Sequence, residues 1–308
     1  MIPLDFEKPV SELEARIADL KATVPGAPEI ERLEERARRL LRDTYARLTP
    51  WQKTQVARHP NRPRLSHYVA RLVTDFTPLA GDRRFAEDPA IQGGPARWLG
   101  RPVMLLGHEK GWDTASRVAH NFGMARPEGY RKAARLIDMA SRLGLPVVAL
   151  VDTAGAFPGV DAEERGQAEA IARSIEACLA CRTPVVAAIV GEGGSGGAVA
   201  IATADRVLMF EHAVYSVISP EGCASILWRE GSKAPEAAEA MRLTAADLKA
   251  LGVIDQIVEE PVGGAHRDPD GAAAALGEAV SGALDALASA PLDRLRMDRR
   301  SKFLRMGR

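Results

Sequence analysis

A glycine-rich turn at residues 191–197 contains the residue types in this sequence best suited to binding a ligand. The turn lies between an apolar run at residues 185–190 and small residues from Ala198 onward. It reads Gly191-Glu192-Gly193-Gly194-Ser195-Gly196-Gly197. Glycine lets a backbone approach a ligand closely, and N–H groups at a helix start have no partner within the helix. Since such a turn can hold negative charge without a charged side chain, the pattern predicts an anion site made of backbone amides.

The same turn matches the fingerprint of dinucleotide-binding proteins. Gly191, Gly193 and Gly196 form a G-x-G-x-x-G pattern, and Glu211 lies 20 residues after Gly191. In dinucleotide-binding folds an acidic residue at about that distance binds the ribose. That motif usually opens a domain, whereas two strands are predicted before it here. Glycine density alone is enough to produce the match.

The turn also contains the G-x-S-x-G pattern of the nucleophile elbow, centred on Ser195. A serine hydrolase or protease using Ser195 would need a histidine base, and His212 and His266 are the downstream candidates. A third interpretation is structural: the glycines let a helix pack tightly against a strand. The turn by itself leaves these interpretations open.

A second glycine turn, at residues 152–159, follows the apolar run at residues 147–151. Parallel strands end at the same edge of a sheet, where ligands bind, so the two turns should face each other. Gly155 or Ala156 from one turn, and Gly196 or Gly197 from the other, could then donate N–H groups to one oxygen, as in an oxyanion hole. The sequence shows no metal-ligand set and no close Ser-His-Asp arrangement. The pattern therefore favours chemistry in which an enolate-type oxygen is stabilised.

The elements that position these turns follow from hydrophobic periodicity. Apolar strands alternating with helices predict an α/β fold with a mostly parallel sheet covered on both faces. A helical hairpin is predicted at residues 10–48, with Ser11 and Glu14 as a capping box. A β-hairpin is predicted from residues 91–98 and 103–106. Further strands are predicted at residues 147–151, 185–190 and 207–210, and helices from Pro127, at 167–179, at 198–203, after the caps Ser219 and Thr244, and at 271–288.

Composition excludes several classes of protein. The 308 residues contain 41 lysines and arginines and 41 aspartates and glutamates, so no bulk charge attracts nucleic acid or a membrane. No apolar run approaches the roughly 20 residues of a membrane span, and the first residues do not form a signal peptide. Three cysteines suit a reducing cytoplasm. Cys178 and Cys181 lie in a helical pattern, where packing is favoured over metal binding.

Six longer motifs lie at residues 107–111, 121–124, 127–133, 161–167, 191–198 and 215–228. Together they resemble a known family, the alpha subunits of bacterial acetyl-CoA carboxylase carboxyltransferase. The resemblance begins at residues 4–7, extends to residues 263–267 and so covers nearly the whole chain. Together these motifs are longer and more specific than the glycine turn alone.

The resemblance implies a crotonase-like (ClpP/crotonase) spiral of ββα units with helical extensions at both ends. Residues 1–60 would form an N-terminal helical arm that contacts another subunit. Residues 61–262 would form the carboxyltransferase domain. Residues 263–308 would form a C-terminal helical extension with a basic tail.

The resemblance also implies the reaction and its partners. The carboxyl group of carboxybiotin, held on a biotin carboxyl carrier protein, would be transferred to acetyl-CoA to form malonyl-CoA, the first committed step of fatty acid biosynthesis. A separate beta subunit with a zinc ribbon would complete an alpha2beta2 complex. An ATP-dependent biotin carboxylase would belong to the wider assembly. No metal is expected in this chain, and its location would be cytoplasmic.

By position, the resemblance assigns roles to both turns. The backbone N–H groups of Gly196 and Gly197 would stabilise the biotin enolate, with Gly155 and Ala156 on the facing turn. The remaining predicted contacts with the substrate are Phe157, Gly194, Ser195 and Ala198.

Four positions depart from the usual family pattern. Ala154 replaces a common proline, Phe157 a tyrosine, Asp161 a glycine and Trp112 an arginine. None of them removes a backbone donor. The acyl-CoA preference is therefore the property that these departures leave open.

Overall fold

The computed structural model of the chain describes residues 2–307. The strands are β1 Val73–Thr74, β2 Ile91–Trp98, β3 Arg101–His108, β4 Val147–Thr153, β5 Val185–Gly194, β6 Arg206–Phe210, β7 Val214–Ser216 and β8 Gln256–Val258. The helices are α1 Lys8–Thr23, α2 Pro28–Tyr45, α3 Pro50–Ala57, α4 Leu65–Leu72, α5 Thr114–Ala119, α6 Pro127–Leu143, α7 Val160–Glu164, α8 Gln167–Ala180, α9 Ser195–Ala202, α10 Pro220–Trp228, α11 Ala234–Met241, α12 Ala245–Ala250, α13 Pro269–Ala288 and α14 Leu292–Arg305.

The strands form one mixed sheet in the order β1-β2-β3-β4-β5-β6-β8, and β7 pairs with the far end of β5. The pairs β1–β2 and β2–β3 are antiparallel, which confirms the predicted hairpin, and all pairs from β3 onward are parallel. Every residue of β4 is buried, as expected for a central parallel strand covered by helices on both faces. The alternation of strands and helices therefore places both glycine turns at one edge of the sheet.

Strand β5 is longer than the sequence predicts. It continues past residue 190 to Gly194, because β7 pairs with it from Glu192 to Gly194. Helix α9 then begins at Ser195 and not near Ala198, so the predicted helix start is wrong by three residues. Glycine carries no side-chain signal for strand or helix, which is why periodicity does not locate this boundary.

The predicted N-terminal helical hairpin is confirmed as α1 and α2, which pack through Ile17, Ile30 and Leu33. The predicted capping box at its start is wrong, since α1 begins at Lys8 and Ser11 lies inside the helix. Pro9 in the first turn favours that earlier start. The buried Glu7 carboxylate connects α2 of the arm and the rest of the chain to the start of α1. The Tyr45 hydroxyl and the Arg267 guanidinium each donate to the Glu7 carboxylate at 3.0 Å.

The division of the chain into three parts, after residues 60 and 262, stays a prediction.

Two other predicted caps lie where expected. Ser219 accepts the Gly222 N–H at 3.1 Å and begins α10. Thr244 accepts the Asp247 N–H at 3.3 Å and begins α12, but the Asp247 carboxylate accepts the Thr244 hydroxyl and not its N–H. The second cap is therefore half of a capping box.

The cysteines have no disulfide partners, and Cys178 is buried in α8 with Cys181 just after that helix. Within residues 2–307 no group of histidine, cysteine and acidic side chains is arranged to hold a metal ion. None of the helices in the same range has the length and apolar character needed to cross a membrane.

Candidate active site at two glycine turns

The turns that follow β4 and β5 are in direct backbone contact. A methyl group on Gly197 would lie 2.7 Å from the carbonyl carbon of Gly155 and 2.9 Å from the nitrogen of Ala156. A methyl group on Gly194 would overlap the carbonyl oxygen of Ala154. Side chains at these two glycines are therefore excluded by the opposite turn. The structure brings together the two halves of the site that the sequence predicts.

At the start of α9, the N–H groups of Gly196 and Gly197 have no acceptor among the described residues. Gly196 and Gly197 are in its first turn, where N–H groups have no acceptor four residues earlier in the helix. Gly194 is the N-cap, and no side chain from residues 2–307 caps the helix. The dipole of α9 adds partial positive charge at the same place. These amides are available to an anion.

On the facing turn, the N–H groups of residues 155–157 differ in whether they have an acceptor. The Gly155 N–H donates to the Thr153 hydroxyl at 3.1 Å, and the Phe157 N–H donates to the Ala125 carbonyl at 2.9 Å. Ala156 lies between them, and its N–H meets no acceptor among the described residues. The sequence leaves open whether Gly155 or Ala156 is the donor. The structure favours Ala156, because its N–H is the one without an acceptor within residues 2–307.

The other predicted contact residues lie around these donors. Ser195 is exposed and has a φ of +49°, the left-handed conformation that favours glycine. Phe157 is half-buried, and the Arg126 guanidinium lies 4.6 Å from the centre of its ring. Ala198 is fully buried and belongs to the hydrophobic core, so its side chain is not open to a ligand. Residue 194 lies at a narrow cleft, also lined by Ala154, Glu192, Ser216 and Ser219.

The two candidate histidine bases for Ser195 are held elsewhere. His212 packs against Tyr45 with ring centres 5.4 Å apart. His266 stacks on His59 with ring centres 4.0 Å apart. Neither histidine hydrogen-bonds to Ser195 in the described part of the chain. The nucleophile arrangement that the G-x-S-x-G pattern suggests is not formed.

A buried ion cluster lies directly behind the turns, and the sequence patterns did not identify it. The Lys110 ammonium lies 2.7 Å from the Asp152 carboxylate and 2.8 Å from that of Glu192. The Arg64 guanidinium pairs with Asp152 at 3.0 Å, and that of Arg58 pairs with Glu192 at 2.6 Å. In the sequence, the one sign that Lys110 and Asp152 could belong to the site is that each lies beside a glycine-rich motif.

The charges of the cluster hold both carboxylates ionised. Burial raises the pKa of Asp152, but the charges of Lys110 and Arg64 outweigh it and lower that pKa to about 2. Burial likewise raises the pKa of Glu192, and Lys110 and Arg58 bring it below its usual value. Both groups are hydrogen-bond acceptors at neutral pH. Neither is placed to be a proton donor.

Comparison with known proteins identifies the family. A family model described as "Acetyl co-enzyme A carboxylase carboxyltransferase-like" matches residues 3–307. The chain is 67% identical over 309 residues to the acetyl-coenzyme A carboxylase carboxyl transferase subunit alpha of Rhizorhabdus wittichii, covering 99% of each chain. It is 63% identical over 309 residues to the subunit of the same name from Acidiphilium cryptum, covering 99% of this chain and 97% of the other.

Solved structures with a similar fold have much lower sequence identity. The transcarboxylase 12S structure with methylmalonyl-coenzyme A bound has a TM-score of 0.60 at 20% identity, over 74% of this chain and 42% of that one. A Pseudomonas malonate decarboxylase hetero-tetramer with coenzyme A has a TM-score of 0.57 at 18% identity, over 70% of this chain and 88% of that one. The predicted crotonase-like α/β fold is thereby confirmed.

The sequence relatives do not favour the serine-hydrolase alternative, in agreement with the separation of Ser195 from the histidines. The match extends over nearly the full chain, and the glycine turns of the site lie inside it. The chain belongs to the acetyl-CoA carboxylase carboxyltransferase family, in which it is an alpha-type subunit of a carboxyl transferase.

Proposed function

We propose that this chain supplies the biotin-side half of the active site that transfers a carboxyl group from carboxybiotin to acetyl-CoA, forming malonyl-CoA for fatty acid biosynthesis. The observation that carries the proposal is the contact between the two glycine turns. Beside that contact, the N–H groups of Ala156, Gly196 and Gly197 have no acceptors among residues 2–307.

The turns fit a ureido group because they offer backbone donors. Carboxybiotin, when bound, supplies the carboxyl group and a ureido oxygen that gains negative charge. Gly196 and Gly197 would donate their N–H groups to that oxygen, and Ala156 would donate from the facing turn. Donors already held in place stabilise developing charge without reorganising, which makes them effective catalysts. The bare backbone at Gly194 and Gly197 lets the two turns approach each other closely, which brings their donors together.

The proposed partners follow from the relatives, which are named as the alpha subunit of a carboxyl transferase. A beta subunit with a zinc ribbon would bind acetyl-CoA and complete the site in an alpha2beta2 complex. The biotin would be carried on a biotin carboxyl carrier protein and carboxylated by an ATP-dependent biotin carboxylase. The free thiols of all three cysteines support a cytoplasmic complex.

Reconstitution tests the proposed reaction. The chain, mixed with its cognate beta subunit and a carboxylated carrier protein, is expected to form malonyl-CoA from acetyl-CoA. Transfer of a radiolabelled carboxyl group to acetyl-CoA measures the reaction, and a mixture without this chain is the control. An assembled complex that forms no malonyl-CoA would contradict the proposal.

Replacing Ser195 by alanine separates carboxyl transfer from hydrolysis. The variant is expected to keep its carboxyltransferase rate within about twofold, because the substitution removes an exposed hydroxyl and leaves every backbone N–H in place. The wild-type chain is also expected to remain unlabelled by a fluorophosphonate. Labelling at Ser195, or loss of the transferase activity in the alanine variant, would revive the nucleophile interpretation.

A further inference from the structure

We propose that Asp152 and Lys110 are positioning residues, which hold the two glycine turns at the separation that the anion site needs. The inference rests on the proposed function. Neither side chain is placed to touch the substrate, since both are buried behind the turns.

The first observation is an irregularity in the ladder between β4 and β5. Val151 pairs with Ile189, but Thr153 pairs with Gly193. Asp152 alone on β4 therefore opposes three residues of β5, at positions 190, 191 and 192. Such a bulge interrupts the backbone hydrogen bonds and bends the strand. Without another contact between β4 and β5 at this point, the backbone hydrogen bonds alone would not fix the position of β5 where it enters the turn.

The Asp152 side chain supplies that connection. One of its oxygens accepts the Glu192 N–H at 3.0 Å, which replaces the missing ladder bond. The same oxygen occupies the space that a side chain at Gly191 would need, so a larger residue there is excluded. Asp152 is thus packed against β5 at the bulge, just before β5 continues to Gly194.

Lys110 ties the two strands together a second time. Its ammonium lies between the carboxylates of Asp152 on β4 and Glu192 on β5, at 2.7 Å and 2.8 Å. Arg58 extends the connection, since its guanidinium lies 2.6 Å from both Glu192 and Glu221 of α10. Lys110, Asp152 and Glu192 are themselves buried, and such a cluster resists displacement because removing one member leaves another charge unpaired.

The position of the turns matters for catalysis more than for binding. A misplacement of about 1 Å in a catalytic group can cost on the order of 10²-fold in rate. Gly194, Gly196 and Gly197 lie two to five residues after Glu192 along the chain. A shift of Glu192 is therefore passed on to the α9 amides. Their distance from the Ala156 N–H would change with it.

The test compares two buried aspartates, Asp152 and Asp205, whose carboxylates accept backbone N–H groups at opposite ends of β5. Asp152→Asn keeps an oxygen for the Glu192 N–H but removes the charge between Lys110 and Arg64. Asp205→Asn is the matched control, since Asp205 accepts the Val185 N–H at 2.7 Å and pairs with the buried Arg299 at 2.6 Å, at the end of β5 away from the turns. Both variants are studied as full chains assembled with the cognate beta subunit.

In Asp152→Asn, kcat for carboxyl transfer is expected to fall about 10²-fold with the KM for acetyl-CoA unchanged. Asp205→Asn is expected to lower the Tm and to leave the kcat of the folded complex unchanged. Equal losses of kcat in the two variants, or an unchanged kcat in Asp152→Asn, would overturn the positioning role.

A second measurement does not depend on the reaction. Amide hydrogen exchange by mass spectrometry on the chain alone is expected to be faster at residues 191–198 in Asp152→Asn and unchanged there in Asp205→Asn. Unchanged exchange in Asp152→Asn would overturn the proposal even if the reaction differs from the one proposed. If wild type forms no malonyl-CoA but the exchange result holds, the proposed function fails and the positioning of the turns stands.

A conservative pair covers the case in which Asp152→Asn does not fold. Lys110→Arg keeps a cation that can bridge two carboxylates, whereas Lys110→Met leaves both carboxylates facing each other. The arginine variant is expected to be about tenfold more active than the methionine variant at equal protein concentration. Equal activity of the two would show that the bridging charge is not what positions the turns.

Discussion

Replacing Gly197 by alanine is expected to lower the rate of malonyl-CoA formation by about 10²–10³-fold, the effect of losing one donor from an oxyanion hole. The added methyl group would lie 2.7 Å from the Gly155 carbonyl carbon and 2.9 Å from the Ala156 nitrogen. Both atoms belong to backbone, which cannot rotate away as a side chain can. The two turns must therefore separate, and the N–H groups on either side of the contact move apart.

Gly196→Ala is the matched control for this prediction. A methyl group at Gly196 would meet only the side chain of Ile171, at 3.4 Å, which is ordinary contact. Alanine keeps the backbone N–H, so this variant is expected to retain its rate within about threefold. The measurement is kcat for transfer in the assembled complex, with assembly checked by size-exclusion chromatography. Equal losses in the two variants would contradict the role assigned to the contact between the turns.

Replacing Arg62 by methionine is expected to lower the free energy of unfolding by about 3–5 kcal/mol, as when one partner of a buried ion pair is removed. The Arg62 guanidinium donates to both oxygens of Glu260, at 2.6 Å and 3.0 Å, and to the Val190 carbonyl at 2.8 Å. Both side chains are fully buried. Methionine would leave the Glu260 carboxylate without its counter-charge. Urea unfolding of the full chain measures the effect.

The loss of unfolding free energy in Arg62→Met should depend on pH. Burial raises the pKa of Glu260, but the charge and hydrogen bonds of Arg62 outweigh it and lower that pKa to about 2. A carboxyl whose pKa is lowered on folding stabilises the protein above its ordinary pKa, and that stability is lost as the pH falls towards 2. In Arg62→Met the Glu260 carboxyl should instead bind a proton readily, because its counter-charge is gone. The difference between wild type and variant is therefore expected to be largest near neutral pH and to shrink below about pH 4.5.

An exposed ion pair provides the control for this prediction. Arg97 and Asp75 pair at 3.1 Å with both side chains about half exposed or more. Arg97→Met is expected to cost about 0–1 kcal/mol, because solvent screens such pairs. A loss at Arg97 as large as that at Arg62 would show that general effects of replacing arginine, and not the buried pair, explain the result.

The sequence by itself determined the sheet and the meeting of the two turns. The continuous apolar runs at residues 147–151 and 185–190 predicted buried parallel strands, and both were found. Parallel strands end at one edge, so a glycine turn after each was enough to predict that they meet. The longer motifs identified the family, because a match over nearly the whole chain is far more specific than glycine density.

The tertiary structure decided which backbone groups are free. Gly155 and Ala156 look equivalent in the sequence, but the Thr153 hydroxyl accepts one N–H and leaves the other without an acceptor among the described residues. The start of α9 at Ser195 was likewise hidden, since glycine gives no periodic signal and the pairing of β7 with β5 sets where the strand ends.

The ion cluster behind the turns could be found only from the fold. Arg58, Lys110, Asp152 and Glu192 come from separate segments, and nothing in the spacing of one charged residue indicates its partner 82 or 134 positions away. Periodicity is a local property of the chain, so it predicts strands, helices and the edge where turns gather. The pairing of charges and the occupancy of single N–H groups depend on distances of about 3 Å between remote segments, and only packing in three dimensions sets those distances.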